Sequence, residues 1–420
     1  MVYVQDINGQ PLMPTERHGK VRRLLKSDKA VIIQDCPMII RLKYETKQCI
    51  PSSDLGVDPG YEHAGLSATT KKKVLYEADA ELRTDIVNLI SSRRENRRGR
   101  RGRKTRYREP RFNNRRKSKK KGWLPPSVGE KIDSQVKLID GAVKLVPVAR
   151  IFVEVASFDI QKIKNPDIKS SEYQSGERLY AENTRQYVLS RDNYTCRCCK
   201  GGSGDKTLVV HHIESRKTGG NAPNNLVTLC KTCHDRYHKG LTNLPDDIKR
   251  GQSFKAAACM NMMRQELFKR LKEKYEPLGI EVVATYGYIT KNVRKEHGLP
   301  KEHYIDARCI SGNPEAVSDG TYYYLKKTRC HNRQIHKCNF GKGGIRKRNQ
   351  TEHAVKGYRL FDKVRYVGKT YFVFGRRKNG FFDIRTLAGD KVNKGSLSFK
   401  KIRFLETKNS FLCERRQDTF

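Results

Sequence analysis

Two adjacent histidines, His211 and His212, close an apolar run from Leu208, and His234 and His238 follow beyond the glycine-rich loop Gly219 to Asn225. His234 and His238 stand four apart, so on a helix they share a face and can both approach one ion. Side chains alternate along a strand, so His211 and His212 should point to opposite sides. One can then bind a metal while the other deprotonates a water. An asparagine such as Asn225 can fix the tautomer and angle of that base through its side-chain carbonyl. The same segment holds two Cys-x-x-Cys pairs, Cys196/Cys199 and Cys230/Cys233. Four thiolates so spaced suit a structural Zn²⁺ that clamps the hairpin away from the catalytic ion. A zinc ribbon that binds nucleic acid without cutting would explain the cysteines, but not His211, His212, Asn225 and His234 around them. His238 reads equally as an exposed helix histidine, and Cys198 as a spare structural thiol.

A second set is dispersed. Asp58, Glu154 and Asp306 lie far apart in sequence, yet each falls at a strand end, inside a strand or at a helix start. Two-metal hydrolysis of a phosphodiester needs such a cluster, because Mg²⁺ takes hard oxygen ligands in octahedral geometry. His303, three residues before Asp306, would share its helix face and could bind metal or deprotonate the water. Taken singly these are weak signals. Asp58-Pro59-Gly60 also reads as a plain turn, and Glu154 as an edge-strand carboxylate facing water. An acid inside a strand as apolar as Ile151 to Val155 is harder to dismiss, because burying it unpaired is costly.

These side chains need strands, a hairpin and helices to bring them together. Residues 1 to about 52 read as a small strand-rich unit. Leu55 to Gly60 is a strand ending in a turn, and the apolar runs flanking Thr69 to Lys73 form a hairpin with a polar tip. Lys and Arg dominate residues 93–121, with Glu95 and Glu109 the only acids. A helical stretch and the buried strand around Glu154 follow, then the Cys/His-rich module at about 170–250. Ile280 to Thr285 reads as a strand and His303 to Ile310 as a helix start. The tail from Gly357, with aromatic strands between glycine and charged turns, suggests a small all-β barrel.

Composition narrows the function. The 420 residues carry 87 Lys and Arg against 45 Asp and Glu, a formal net charge of +42, with 36% hydrophobic and 9% aromatic residues. That length allows roughly three domains, and the charge calls for a polyanionic partner, nucleic acid by default. No apolar run approaches the ~20 residues of a spanning helix, and the opening Met1 to Asp6 lacks the pattern of a secretory signal. Most of the 12 cysteines outside the two pairs are scattered singly. That argues against a disulfide framework and for the cytoplasm or nucleoid of a prokaryotic cell.

With both sets in view, the chain resembles the IscB family, transposon-encoded RNA-guided DNA endonucleases related to the type II CRISPR effector nuclease. Pro11-Leu12-Met13-Pro14 matches the motif that names the family's PLMP domain. Gly56 to Gly60, Phe152 to Val155 and His303 to Ala307 resemble the three RuvC segments, and the arginine run from Arg93 resembles the bridge helix. His211-His212 with Asn225, His234 and His238 resembles an HNH insertion.

The resemblance implies a multidomain chain of mixed α+β and α/β type, built on a split RuvC core that is ribonuclease H-like. Its parts would be a PLMP domain (1–52), RuvC segment I (53–90), an arginine-rich bridge helix (91–122), RuvC segment II (123–168), a ββα-metal HNH domain with zinc knuckles (169–252), RuvC segment III (253–315) and a basic, β-barrel-like C-terminal region (316–420). His212 would be the HNH general base, with His211, His234 and His238 around one Mg²⁺. Asp58, Glu154 and Asp306, helped by His303, would hold two Mg²⁺ in the RuvC site, and Cys196, Cys199, Cys230 and Cys233 a Zn²⁺. Arg93, Arg94, Arg97, Arg98, Arg100, Arg101, Arg103, Lys104, Arg106 and Arg108 would grip nucleic-acid phosphates. The HNH site would cut the strand paired to the guide and the RuvC site the displaced strand.

The implied partners are a guide RNA (OMEGA RNA) and double-stranded target DNA with a short adjacent motif, met by a monomeric protein in a ribonucleoprotein. Relatives often place an aspartate where this chain has His211, and a histidine-rich site suits a transition metal as well as Mg²⁺. Two other readings stand beside this one. A protein-guided HNH endonuclease of homing or restriction type would cut without RNA, and a non-catalytic zinc-ribbon protein would bind without cutting.

Overall fold

The computed structural model describes residues 1–46, 51–102, 123–155, 183–215, 219–251, 255–329 and 352–418. It divides into two compact units, Met1–Ser157 with Cys259–Phe420, and the inserted Phe158–Ala258. Among the described residues no helix is long and apolar enough to cross a membrane.

The chain begins with β1 (Val2–Gln5), β2 (Pro11–Thr15), α1 (His18–Lys26), β3 (Ala30–Gln34) and β4 (Ile39–Leu42). They form a four-stranded sheet of order β2-β1-β4-β3 over a small core of Val2, Val21, Ala30, Ile40 and Leu42. Tyr3 points the other way into the main core and donates from its hydroxyl to the Leu75 carbonyl.

The main sheet starts with β5 (Ser53–Pro59), β6 (His63–Thr69) and β7 (Val74–Glu81), an antiparallel meander whose last turn is the expected polar tip. Next come α2 (Ile86–Gly102), α3 (Pro126–Val143) and β8 (Val148–Glu154). α3 opens with Pro126, whose missing N–H costs nothing in a first turn. It buries Val128, Ile132, Leu138, Ile139 and Ala142 against the sheet. The arginine run is helical through Gly99 as far as Gly102. Arg93, Arg94, Arg97 and Arg98 are exposed on it, Arg100 and Arg101 fall in its last turn, and Arg103, Lys104, Arg106 and Arg108 lie outside the described residues.

The insertion contains α4 (Thr184–Arg191), β9 (Leu208–His212), β10 (Leu226–Cys230) and α5 (Lys231–His238). β9 and β10 pair antiparallel, with His212 opposite Leu226 and His211 opposite Val227. Its core is small: Cys196, Val227, Leu229, Cys230 and Ile248. So little apolar surface is a reason for a ββα unit of this size to use a metal as a staple.

After the insertion come α6 (Lys255–Tyr275), β11 (Glu281–Thr285), α7 (Gly287–Glu296), α8 (His303–Ile310) and β12 (Thr321–Lys327). Beyond these lie β13 (Lys363–Tyr366), β14 (Lys369–Arg376), β15 (Phe381–Arg385), β16 (Leu397–Ser398), β17 (Arg403–Glu406) and β18 (Phe411–Gln417). The main sheet has seven strands in the order β11-β8-β5-β6-β7-β12-β18. β5, β8 and β11 run parallel, while β6 runs antiparallel to both its neighbours.

Two features differ from the sequence reading. The tail is not a lobe of its own, because β12 joins β7 and β18 joins β12 at one end of the main sheet. Nor does its remainder close into a barrel. β13 to β17 form an antiparallel sheet of order β16-β15-β14-β13-β17 whose edge strands do not pair. A 3₁₀ turn at Phe399–Lys401 separates the two-residue β16 from β17.

Candidate functional site

The main sheet and the insertion each gather a set of chemically able side chains. In the main sheet, Asp58 lies near the end of β5 and Glu154 at the end of β8, adjacent parallel strands in which Val57 is paired with Val153. Both carboxylates are buried. Asp306 comes from α8, which reaches the sheet through glycine. A Cβ at Gly65 would stand 1.9 Å from the His303 carbonyl, and one at Gly56 would stand 1.9 Å from the Ala307 carbonyl. The helix is then anchored by Arg308, which donates from Nε and Nη2 to buried Glu77 on β7 at 2.8 and 2.9 Å. Thr69 and Ser311 share a hydroxyl contact of 2.8 Å at its far end.

Each carboxylate has a cationic or ionisable partner. His303 Nδ1 lies 2.7 Å from Asp58 Oδ2, Arg264 Nη2 2.8 Å from Glu154 Oε1, and Arg294 Nε 2.8 Å from Asp306 Oδ1. Burial pushes the Glu154 carboxyl above its ordinary range. Arg264 opposes that shift, while Asp58 and Asp306 add to it. Asp306 is raised by burial and by Asp58. His303 is raised chiefly by its hydrogen bond to Asp58. Together the three acids are a set of hard oxygen donors of the kind that suits divalent Mg²⁺. Two of them are held by arginines. His63 on β6 stacks on His303 with centroids 5.6 Å apart and meets Asp79 at 3.2 Å.

In the insertion, the ligand atoms of His211, His234 and His238 lie within 4.8 Å of one another. His234 and His238 share a face of α5, with their Nε2 atoms 3.2 Å apart. His211 is buried on β9, and its Nε2 has no hydrogen-bond partner among the described residues. Burial and then the two neighbouring histidines hold its pKa down at about 4, so it is a neutral ligand at ordinary pH. An orphaned buried nitrogen facing two more imidazoles fits a bound cation.

His212 points to the other side of the strand, where its Nε2 lies 2.9 Å from Asn221 Oδ1. With that carbonyl accepting, the ring proton sits on Nε2 and Nδ1 is free to take another. The expected contact from Asn225 is not made. Its amide is spent on the backbone, accepting from Glu214 N and donating to the Glu214 and Gly220 carbonyls at 2.9, 3.1 and 3.0 Å. Asn225 therefore pins the loop, and Asn221 holds the histidine.

The four thiols of Cys196, Cys199, Cys230 and Cys233 also lie within 4.8 Å of one another, a donor set that fits Zn²⁺. The Ser203 hydroxyl, chiefly, holds the Cys199 thiol down at about 6. Cys198 packs against the same small core and stands outside the set. The sequence reading missed Asn221, His63, Arg264 and Arg294. Asn221 had a signal, as a polar residue in the loop beside the histidines. The others had none, because a helical arginine or a hairpin histidine looks the same whether or not it meets an acid.

Residues 196–240 match the family model of HNH endonucleases, and residues 2–176 match that of RRXRR proteins. The chain thus carries an HNH endonuclease domain. No curated protein matches. Among solved structures, the chain is similar to Streptococcus thermophilus Cas9 in complex with the AGAA, AGGA and GGAA PAM, at 13%, 12% and 14% identity and TM-scores of 0.32, 0.31 and 0.32. The matches cover 59%, 59% and 60% of this chain and 32% of each Cas9 chain, so the chain spans about a third of the length of those proteins.

Proposed function

We propose that the chain is an RNA-guided, metal-dependent DNA endonuclease of the IscB family that cuts both strands of a duplex. What supports the reading is a single chain of net charge +42 in which three histidines gather within the HNH match, while Asp58 and Glu154 come from adjacent strands of the main sheet with His303 beside Asp58. A divalent cation at either set would activate a water and neutralise charge on the scissile phosphate.

In the HNH domain His212 is the general base. Asn221 keeps the proton on its Nε2, so Nδ1 can accept one from the attacking water. His211, His234 and His238 hold the cation, and the Cys₄ set with Zn²⁺ keeps β9, β10 and α5 in register. In the main sheet Asp58, Glu154 and Asp306 are the metal ligands, and His303, whose Nδ1 donates to Asp58, exchanges a proton at Nε2. The order of β5 to β8 and β11, with only β6 reversed, supports a ribonuclease H-like, RuvC-type core split by the insertion. The exposed arginines of α2 suit backbone contacts with a guide–target duplex. The C-terminal sheet is the candidate reader of the target-adjacent motif.

The test is strand-resolved. His212→Ala should leave a nickase that cuts only the displaced strand, and Asp58→Ala one that cuts only the guide-paired strand, each losing at least about 10²-fold on the other strand. Either single variant still cutting both strands at wild-type rate would refute the division of labour. Sequence-specific cutting by RNA-free protein would move the reading to a protein-guided HNH endonuclease.

A further inference from the structure

We infer that Tyr286 and Tyr288 form a base-stacking platform for an unpaired DNA strand at the mouth of the carboxylate site. The inference rests on the nuclease reading above and adds the residues that would hold the strand. The two rings stack on each other with centroids 6.1 Å apart and planes 19° from parallel. They are also among the most exposed aromatics of the main unit, at 48% and 67%. Aromatic rings of this size are normally covered in a stable fold, so a pair left in the open beside an active site calls for a ligand with flat apolar faces.

Their place is set by the carboxylate. Thr285 is paired with Glu154 across β11 and β8, and Val155 N donates to the Thr285 carbonyl. Gly287, between the two tyrosines, comes so close to Glu154 that a Cβ there would stand 2.9 Å from Oε1. The chain therefore passes close over the carboxylate on a glycine, with the two stacked tyrosines on either side of that glycine in sequence.

From there α7 has two faces. The inner one carries buried Thr290 and Arg294, which reaches Asp306. On the outer one, Tyr288, Lys291, Asn292 and Lys295 follow at helical spacing and are all exposed. Stacking surfaces continued by cations in line are what a single strand needs, since its bases offer open faces and its phosphates follow at regular intervals. A duplex covers those faces within its own stack. The platform would thus select the unpaired strand and deliver its backbone toward Asp58, Glu154 and Asp306.

The experiment uses the full chain in Mg²⁺-free buffer and a single-stranded oligonucleotide carrying 2-aminopurine, whose fluorescence falls when an aromatic ring stacks on it. Tyr286→Ala/Tyr288→Ala should abolish the quench and weaken binding at raised salt by about 5- to 150-fold for each lost stack. The double Phe variant should keep both, and Lys291→Ala/Lys295→Ala should flatten the salt dependence while keeping the quench. Unchanged quench and affinity in the double Ala variant would overturn the platform. So would equal loss in the Phe variant, because hydroxyls rather than ring faces would then be responsible, or competition by duplex DNA as strong as by single strand. Binding is read without cleavage. A failure of Asp58→Ala to change cutting would therefore sink the nuclease reading of that site and leave the stacking result standing.

Discussion

Asp58 meets His303, Glu154 meets Arg264 and Asp306 meets Arg294, so no carboxylate of the main-sheet site is left to face the other two alone. Arg264 is even more deeply buried than Glu154, and removing one partner of such a pair strands the other's charge. Arg264→Ala should cost about 3–5 kcal/mol of stability without divalent metal. A Mg²⁺ held by the three acids would take over the neutralisation, so it should raise the melting temperature of the variant more than that of the wild type. Equal Mg²⁺-induced shifts in a thermal-unfolding titration would contradict this. Of the three acids Glu154 has the clearest mark in sequence, because an acid inside an apolar strand stands out. Their partners have no such mark, since neither arginine differs in sequence context from others in a chain with 87 Lys and Arg. The same limit separates Asn225 from Asn221. Residue type and loop position suggest an asparagine near the base, but only the hairpin's shape decides which one reaches it.

At the scale of elements, α8 is the piece that completes the carboxylate site, and its seat is made of absent side chains and one buried ion pair. Gly56 and Gly65 let the helix backbone approach β5 and β6, and Glu77 holds Arg308 with both its oxygens. Glu77→Ala would leave that guanidinium buried and unpaired, at a cost of about 3–5 kcal/mol. Cutting by the carboxylate site should fall while cutting by the histidine site persists, which strand-resolved rates would show. Two sequence strands and a helix start are readable from apolar runs and turns. That β5, β8 and α8 converge is not, because long-range pairing leaves no local mark.

In the insertion, Asp192 ties α4 to β10. Burial alone would raise its pKa, but the Arg191 side chain and the Thr228 N–H outweigh that and hold it below the ordinary carboxylate range. A depressed native pKa means that its stabilisation is complete above the unfolded value near 3.9 and fades as pH falls through the native one. The stability gap between wild type and Asp192→Asn should therefore be widest at neutral pH and close below about pH 4. Urea unfolding of the two proteins across that range measures it. A gap independent of pH would show that the carboxylate charge is not what Asp192 contributes.

At the scale of the whole molecule, a small unit holding four clustered thiols interrupts a larger one built on a seven-stranded sheet. A strong zinc chelator should erase the unfolding transition of the insertion and leave that of the main unit, because only the former relies on four thiols for its core. Survival of both transitions in calorimetry would contradict a structural zinc. The inserted module is legible from its cysteine and histidine spacing. The far end of the sheet is not, since β12 and β18 look in sequence like part of a separate tail.

The net charge of +42 fits a polyanionic partner, but charge does not name one, and the central claim is that RNA selects the DNA. The most direct measurement purifies the protein co-expressed with the noncoding RNA encoded beside its gene. The complex is then given Mg²⁺ and plasmid carrying a guide-matched target flanked by randomised bases. The account predicts linear product that depends on the guide match, with one flanking motif enriched among cut molecules. Cutting at the same rate when the guide is mismatched, or tight RNA binding with no cutting at all, would contradict it.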